Sequence, residues 1–304
     1  MPIGIILKGI GGFYYVKEEN NNTIFECKPR GIFRKDSITP LPGDKVEFSI
    51  IDYEEKLGSV DKIYPRFSEL VRPAIANIDQ MIIVIAVKAP ETDFMLLDKL
   101  LITAEIKKLK AIICINKIDL ENSIAKNIWN IYSSAGYDCI ELSSVLNVGY
   151  ENLHDKLNNH ISVLAGQSGV GKSTILNHIM DSWVMRTGKV SNKIERGKHT
   201  TRHAEILELE SGGYIADTPG FSSFELADIQ YMELENCYPE FRQLLNKCKF
   251  TSCSHITEPE CRIREAVEQG KIDVGRFQRY TQLYKILKDV PQYKKNSESR
   301  RVVK

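Results

Sequence analysis

The chain has 304 residues, of which 42% are hydrophobic and 27% charged, the proportions of a globular protein long enough for two or three domains. Its formal net charge of +1 excludes a uniformly basic nucleic-acid binder and leaves only local patches for such contacts. No apolar run approaches a membrane span, and no basic stretch followed by a long apolar core opens the chain, so neither a membrane partner nor a secretory signal is expected. Seven cysteines, three of them close together beside a histidine, favour metal over disulfides and a reducing, cytoplasmic setting.

Residues 1–68 read as all-β. Short apolar runs such as Phe13–Val16 and the alternating Val46–Ile50 are punctuated by turns such as Pro42-Gly43-Asp44, which predicts a small barrel. Pro65-Arg66 reads as a linker. From 69 to 223 the pattern becomes α/β. Met81–Val87, Ala111–Ile115, Cys139–Leu142 and Ile161–Ala165 read as buried strands. Helical patterns occupy Asp93–Lys110 and Asn122–Gly136, and Ile206–Leu209 with Tyr214–Ala216 read as a hairpin-like pair. Residues 224–304 read as helical and polar, with a long helix over Ile272–Val290. They end in a basic tail of Lys294, Lys295, Arg300, Arg301 and Lys304.

Two halves of one nucleotide site stand in this chain in inverted order. Asn116-Lys117-Ile118-Asp119 is an N-K-x-D box at the end of a strand, where open α/β sheets bind ligands. Asp119 can accept from both guanine N1–H and the 2-amino group, a donor pair that adenine lacks. Asn116 would brace the loop and the stem of Lys117 would lie along the base. Ser143-Ser144 follows the next strand, where backbone can meet guanine O6. Only afterwards comes Gly166-Gln167-Ser168-Gly169-Val170-Gly171-Lys172-Ser173-Thr174, a phosphate loop between a strand and a helix. There the glycines let backbone N–H groups curl around polyphosphate. Lys172 would reach the β- and γ-phosphates, and Ser173 would ligate Mg²⁺. Base box before phosphate loop implies a circularly permuted P-loop GTPase domain.

The switch elements follow. Asp217-Thr218-Pro219-Gly220 reads D-x-x-G and takes its weight from the strand before it. Asp217 would hold Mg²⁺ through water, and the Gly220 N–H would sense the γ-phosphate. In Gly197-Lys198-His199-Thr200-Thr201-Arg202-His203 either Thr200 or Thr201 would complete the Mg²⁺ shell. Phe221 stands where Ras-like proteins place a water-orienting Gln, so intrinsic hydrolysis should be slow. His199 is the nearest polar replacement, the alternative being a solvent- or RNA-facing histidine. Cys248-x4-Cys253-x-His255-x5-Cys261 supplies three thiolates and an imidazole, a closed Cys₃His set for one structural Zn²⁺. Because this set lies beyond the switches, contact of γ-phosphate at Gly220 should reorient the zinc segment.

With Arg72–Gln80, these motifs make the chain similar to the RsgA family (also called YjeQ or YloQ) of circularly permuted GTPases of bacterial small-subunit ribosome assembly. The resemblance covers nearly the whole chain. It implies an OB-fold barrel over 1–68, the permuted GTPase domain over 69–223 and a helical zinc-binding domain over 224–304. It further implies GTP/GDP as ligand and the small ribosomal subunit with its rRNA as partner. Hydrolysis would be stimulated by that subunit, followed by release, with His199 in switch I involved. The residues agree on partner type: Arg186, Lys189, Lys193, Arg196, Lys198 and Arg202 stand against Glu195, a basic segment suited to RNA. A monomer is expected. The competing reading is an RNA-binding module with a purely structural nucleotide site. Intact Lys172, Ser173 and Asp217 speak against it, and the guanine box speaks against a metabolic kinase.

Overall fold

Alternation of apolar and polar residues at the N-terminus builds five strands: β1 (Ile3–Ile10), β2 (Phe13–Glu18), β3 (Ile24–Pro29), β4 (Lys45–Asp52) and β5 (Leu57–Ile63). β1 pairs antiparallel with β2 and β4, β2 with β3, and β4 with β5, while β3 and β5 run parallel. The order 1-2-3-5-4-1 closes a barrel, and Ile6, Val16, Phe25, Val46, Phe48 and Val60 fill it. The computed structural model describes residues 1–31, 33, 38–71, 73–187, 204–209, 212–217 and 229–289, with backbone alone at 181–187 and 217. The sequence readings at Arg72, Gly197–His203, Thr218–Phe221 and the basic tail lie outside the described residues, as does most of the basic segment.

The remaining elements follow in chain order. They are β6 (Glu69–Val71), β7 (Ala74–Ala76), β8 (Gln80–Ala86), α1 (Phe94–Ile106), β9 (Lys110–Asn116), α2 (Asn122–Ser134) and β10 (Asp138–Leu142). Then come α3 (Tyr150–Leu157), β11 (Ile161–Ala165), α4 (Lys172–Thr187), β12 (Glu205–Glu208), β13 (Tyr214–Asp217), α5 (Arg262–Glu268) and α6 (Val274–Asp289). β8 is buried along its whole length, as its unbroken apolar run predicts. α1 starts where Asp93 accepts the Leu96 N–H at 2.9 Å, an N-cap that satisfies an otherwise orphan donor.

The chain forms two compact units: residues 1–82, 150–165 and 172–221, and residues 83–149, 166–171 and 222–304. In the first unit the strands stand in the order β11-β13-β12-β1 and continue into the barrel. β12 and β13 are antiparallel, as expected. β1 meets β12 antiparallel with Lys8 opposite Glu205, and their side chains are 3.1 Å apart. Lys17 is buried against Glu208 nearby. The barrel is therefore continuous with the strand pair that leads to D-x-x-G. The linker reading at Pro65-Arg66 is corrected. Arg66 binds the buried Asp44 through Nε (2.7 Å) and Nη2 (2.8 Å), and also Thr39 O and Glu69. A side chain with four fixed acceptors pins this stretch to the barrel, and the β6–β7 hairpin follows at once.

In the second unit β10, β9 and β8 are neighbours, β9 and β10 being parallel. Ile102 of α1 shares a core with Leu234, Tyr238, Phe241, Ile263, Leu283 and Leu287, so the C-terminal segment packs on a helix of the α/β region. Below that core sits a charge network. Asp98, fully buried, accepts from Arg276 Nη1 and Arg279 Nε, each at 2.6 Å, and from Tyr132 Oη at 3.0 Å. Arg276 also binds Glu240 at 2.6 Å, and its guanidinium lies over the rings of Tyr132, Tyr137 and Tyr238. Reorienting the zinc segment relative to α1 would have to break this network. Asp98→Ala strands two cations in the interior and is expected to cost about 3–5 kcal/mol. Arg242→Ala, which removes the more exposed pair with Glu105, should cost under about 1 kcal/mol. Denaturant unfolding of the two variants checks the contrast.

Candidate functional site

The base box sits where β9 ends. Asn116 is buried and its Nδ2 donates to Val170 O at 2.8 Å. Lys117 adopts φ +62°, an uncommon backbone state for a side-chain-bearing residue. Its Nζ bridges Gly169 O at 2.9 Å and Ala89 O. Two consecutive residues thus clasp the phosphate loop from outside. The Ile118 N–H reaches Leu142 O on β10 at 3.3 Å, and Ser143 Oγ donates to Asp119 Oδ1 at 2.5 Å. Ser143 is fully buried and also accepts the Leu146 N–H, so its hydroxyl is fixed and Asp119 with it. Ser144 stands exposed beside it. The structure therefore brings Asn116, Lys117, Asp119, Ser143 and the loop 166–171 together within one unit.

These residues fit a guanine nucleotide. Gly166 and Gly171 have φ of +136° and +103°. A Cβ on Gly166 would collide with Val84 O, and one on Gly171 with Asn116 Nδ2, so the curl of the loop needs both glycines. Asn116 Oδ1 is buried without a hydrogen-bond partner among the described residues, an acceptor costing about 1–3 kcal/mol unless a donor arrives. In the first unit, α4 opens with Lys172, followed by the exposed Ser173 and Thr174. Burial lowers the Lys172 ammonium below its usual range, a shift that an adjacent anion would reverse. β13 runs parallel to β11, with Ala216 opposite Val163, so the Asp217 backbone ends beside the strand that leads into the phosphate loop.

The Cys/His set gathers as its spacing predicts. The ligand atoms of Cys248, Cys253, His255 and Cys261 lie within 4.8 Å of one another. A tetrahedral Zn²⁺ site, with Zn–S about 2.3 Å and Zn–N about 2.0 Å, needs S···S near 3.8 Å and S···N near 3.5 Å, all approximate values. The observed spacings are 3.9 Å for Cys248–Cys261, and 3.6 and 3.3 Å from His255 Nδ1 to Cys248 and Cys261. The donor set fits zinc. Burial works against the Cys248 thiolate, but hydrogen bonds from the Arg262 N–H and from Cys261 outweigh it and hold this thiol below its usual range.

Two carboxylates that the sequence reading missed complete the centre. His255 Nε2–H donates to Glu235 Oε2 at 2.7 Å, which fixes the tautomer that turns Nδ1 toward the thiols. Glu258 accepts the N–H groups of Ser254, Ile256 and Thr257 and the Ser254 hydroxyl. Burial pushes the Glu258 carboxyl up, but these bonds prevail and bring it down to about 2. They also brace His255 at φ +63°. Neither glutamate belongs to a ligand spacing, so only the folded loop reveals them. Cys253→Ser is expected to abolish metal retention. Glu235→Ala should weaken Zn²⁺ about 10–100-fold, and Glu235→Gln, which can still accept from Nε2–H, much less. Chelator competition measures all three.

Comparison with known proteins agrees with this geometry. Residues 63–227 match the family described as RsgA GTPase, and residues 3–57 match the RsgA N-terminal domain. A protein of Ruminiclostridium cellulolyticum named small ribosomal subunit biogenesis GTPase RsgA is 68% identical, with the whole of both chains covered. A protein of the same name from Caldanaerobacter subterraneus subsp. tengcongensis is 45% identical over 94% of this chain and 96% of its own. Among solved structures, YjeQ from Thermotoga maritima matches with a TM-score of 0.83 and 34% identity, covering 95% of this chain and 99% of that one. YloQ, described as a circularly permuted GTPase, matches with a TM-score of 0.79 and 37% identity over 96% of each chain. Fold, motif order and full-length similarity agree: the chain belongs to the RsgA GTPase family.

Proposed function

We propose that this chain binds the small ribosomal subunit late in assembly, hydrolyses GTP when the subunit stimulates it, and then dissociates. The observation that carries the reading is the clasp of Asn116 and Lys117 on the carbonyls of Val170 and Gly169. It makes base reading and phosphate binding one hydrogen-bonded assembly. Residues 1–68 and 224–304 serve as flanking RNA-binding modules around the GTPase domain at 69–223. The protein acts as a monomer in the cytoplasm, with no membrane partner. No described helix is long and apolar enough to cross a membrane.

Asp119, steadied by Ser143, reads the guanine edge, and Ser144 offers backbone beside it. Gly166–Gly171 and Thr174 cradle the phosphates, and Lys172 meets their β and γ oxygens. Ser173, Asp217 and either Thr200 or Thr201 would hold Mg²⁺, which would neutralise charge on the phosphates. The Gly220 N–H reports the γ-phosphate. Cys248, Cys253, His255 and Cys261 hold one structural Zn²⁺. Phe221 cannot orient water, so His199 takes that role once the subunit is bound.

GTP turnover with and without purified small subunits tests the proposal. Strong stimulation supports it, and equal turnover would leave only an RNA-binding module with a structural nucleotide site. Asp119→Asn is expected to weaken GTP and favour a xanthine nucleotide, since Asn can donate to the carbonyl that replaces the amino group. Sites built on paired hydrogen bonds discriminate by up to about 10⁴–10⁵, and nucleotide competition reads the change. His199→Ala should keep GTP and subunit binding but lose most stimulated hydrolysis. Sedimentation with a non-hydrolysable analogue, run beside stimulated turnover, separates those effects.

A further inference from the structure

The hairpin joining β4 to β5 carries features that folding does not require. The β4–β5 register shifts between Ile50 and Asp52, which puts Ile51 at a bulge, and bulges re-aim side chains. Ile51 is 70% exposed, and Tyr53 is 60% exposed. Ile24, Ile50 and Leu57 are also exposed, and Leu57 pairs with Glu26, two residues beyond Ile24 on β3.

The tip is held rigid. Asp52 Oδ1 accepts the N–H groups of Glu54 and Glu55 at 2.9 and 3.0 Å. The Tyr53 ring packs edge-on against Phe25 at 5.9 Å between centroids, and its hydroxyl accepts from Asn21 at 3.3 Å. An apolar group held in place and exposed on a fixed turn loses little freedom when a partner covers it, which favours docking.

The charge of the tip identifies the partner. Asp52, Glu54 and Glu55 stand there against Lys56 alone. OB barrels commonly use this loop for oligonucleotides, but three carboxylates repel a phosphate backbone. Other rings of the same barrel carry the opposite chemistry. Lys28 lies over Phe13 and Lys62 over Tyr64, each at 5.2 Å, combinations suited to bases and phosphates. One barrel thus presents two chemistries.

We propose that the β4–β5 tip docks a lysine- and arginine-rich protein segment exposed on the small subunit, its side-chain stems covering Ile51 and Tyr53 while its charges meet Glu54 and Glu55. The inference rests on the small-subunit reading above for the source of the partner.

The test places p-benzoylphenylalanine at position 51 of the full chain. The chain is then irradiated with purified small subunits and a non-hydrolysable GTP analogue, and separately with the proteins extracted from those subunits. The expected result is crosslinking to a basic polypeptide segment in both mixtures. Glu54→Lys combined with Glu55→Lys should weaken subunit binding at least about tenfold while GTP affinity stays unchanged. Crosslinking to rRNA, or binding unaffected or strengthened by charge reversal, overturns the proposal. Co-sedimentation without a polypeptide crosslink sinks the tip alone. A crosslink to extracted proteins without co-sedimentation upholds the tip and strikes the proposed function instead. Failure of both measurements rejects both.

Discussion

Everything at the nucleotide loop depends on Asn116 and Lys117 gripping a segment fifty residues downstream. A loop of glycines has little conformation of its own, because backbone freedom is what glycine contributes. Here Nδ2 of Asn116 and Nζ of Lys117 fix the carbonyls of Val170 and Gly169, and that turns a flexible curl into a cradle of set shape. Circular permutation leaves such a clasp intact. Chain order decides only which half is made first; the bonds form between the same groups wherever the termini are cut. The strain of a left-handed Lys117 is tolerated because its side chain and its neighbours are held on both sides.

A second constraint is the single carboxylate of Asp98. It stands on α1 in the α/β region, yet both arginines that bind it come from α6 in the C-terminal segment. A buried ion cluster of this kind is weak evidence of stability but strong evidence of a fixed register, because any displacement strands a charge. The zinc segment is therefore seated on α1 in one position. Glu235, bonded to His255, ties the loop Cys248–Cys261 back to the turn Tyr231–Cys237.

Much of this was legible in the sequence because the signals were local. Strand runs, the N-K-x-D box, the glycine loop and the Cys/His spacing each lie within a few residues, and each constrains its own geometry. The hidden parts are long-range or compositionally plain. Arg66 looks like a linker residue until Asp44 is seen beneath it. α3 (Tyr150–Leu157) buries only Tyr150, Leu153 and Leu157, too few apolar positions to show a helical period. Ser143 was read for its backbone, whereas the structure gives its hydroxyl to Asp119. Asp98, Arg276, Glu235 and Glu258 are charged residues in a charged chain, and only the fold separates them from solvated neighbours.

Each of the two units holds its own elements together. β13 ends at Asp217 in the first unit, and the described chain resumes at Ile229 in the second. In sequence, the D-x-x-G motif thus stands just before the chain passes from one unit to the other, and each unit has its own core. In an unpermuted G domain the same stretch would return to the sheet. Here its far end leads to the turn Tyr231–Cys237, which bears Glu235 and, through Leu234, the core shared with α1. With the zinc segment locked to α1, rotating that segment alone would strand the charges at Asp98. Within the first unit, β12 is likewise joined to the barrel through β1. Each unit is thus tied internally, the zinc segment to α1 through Asp98 in one and the barrel to the β12–β13 pair in the other.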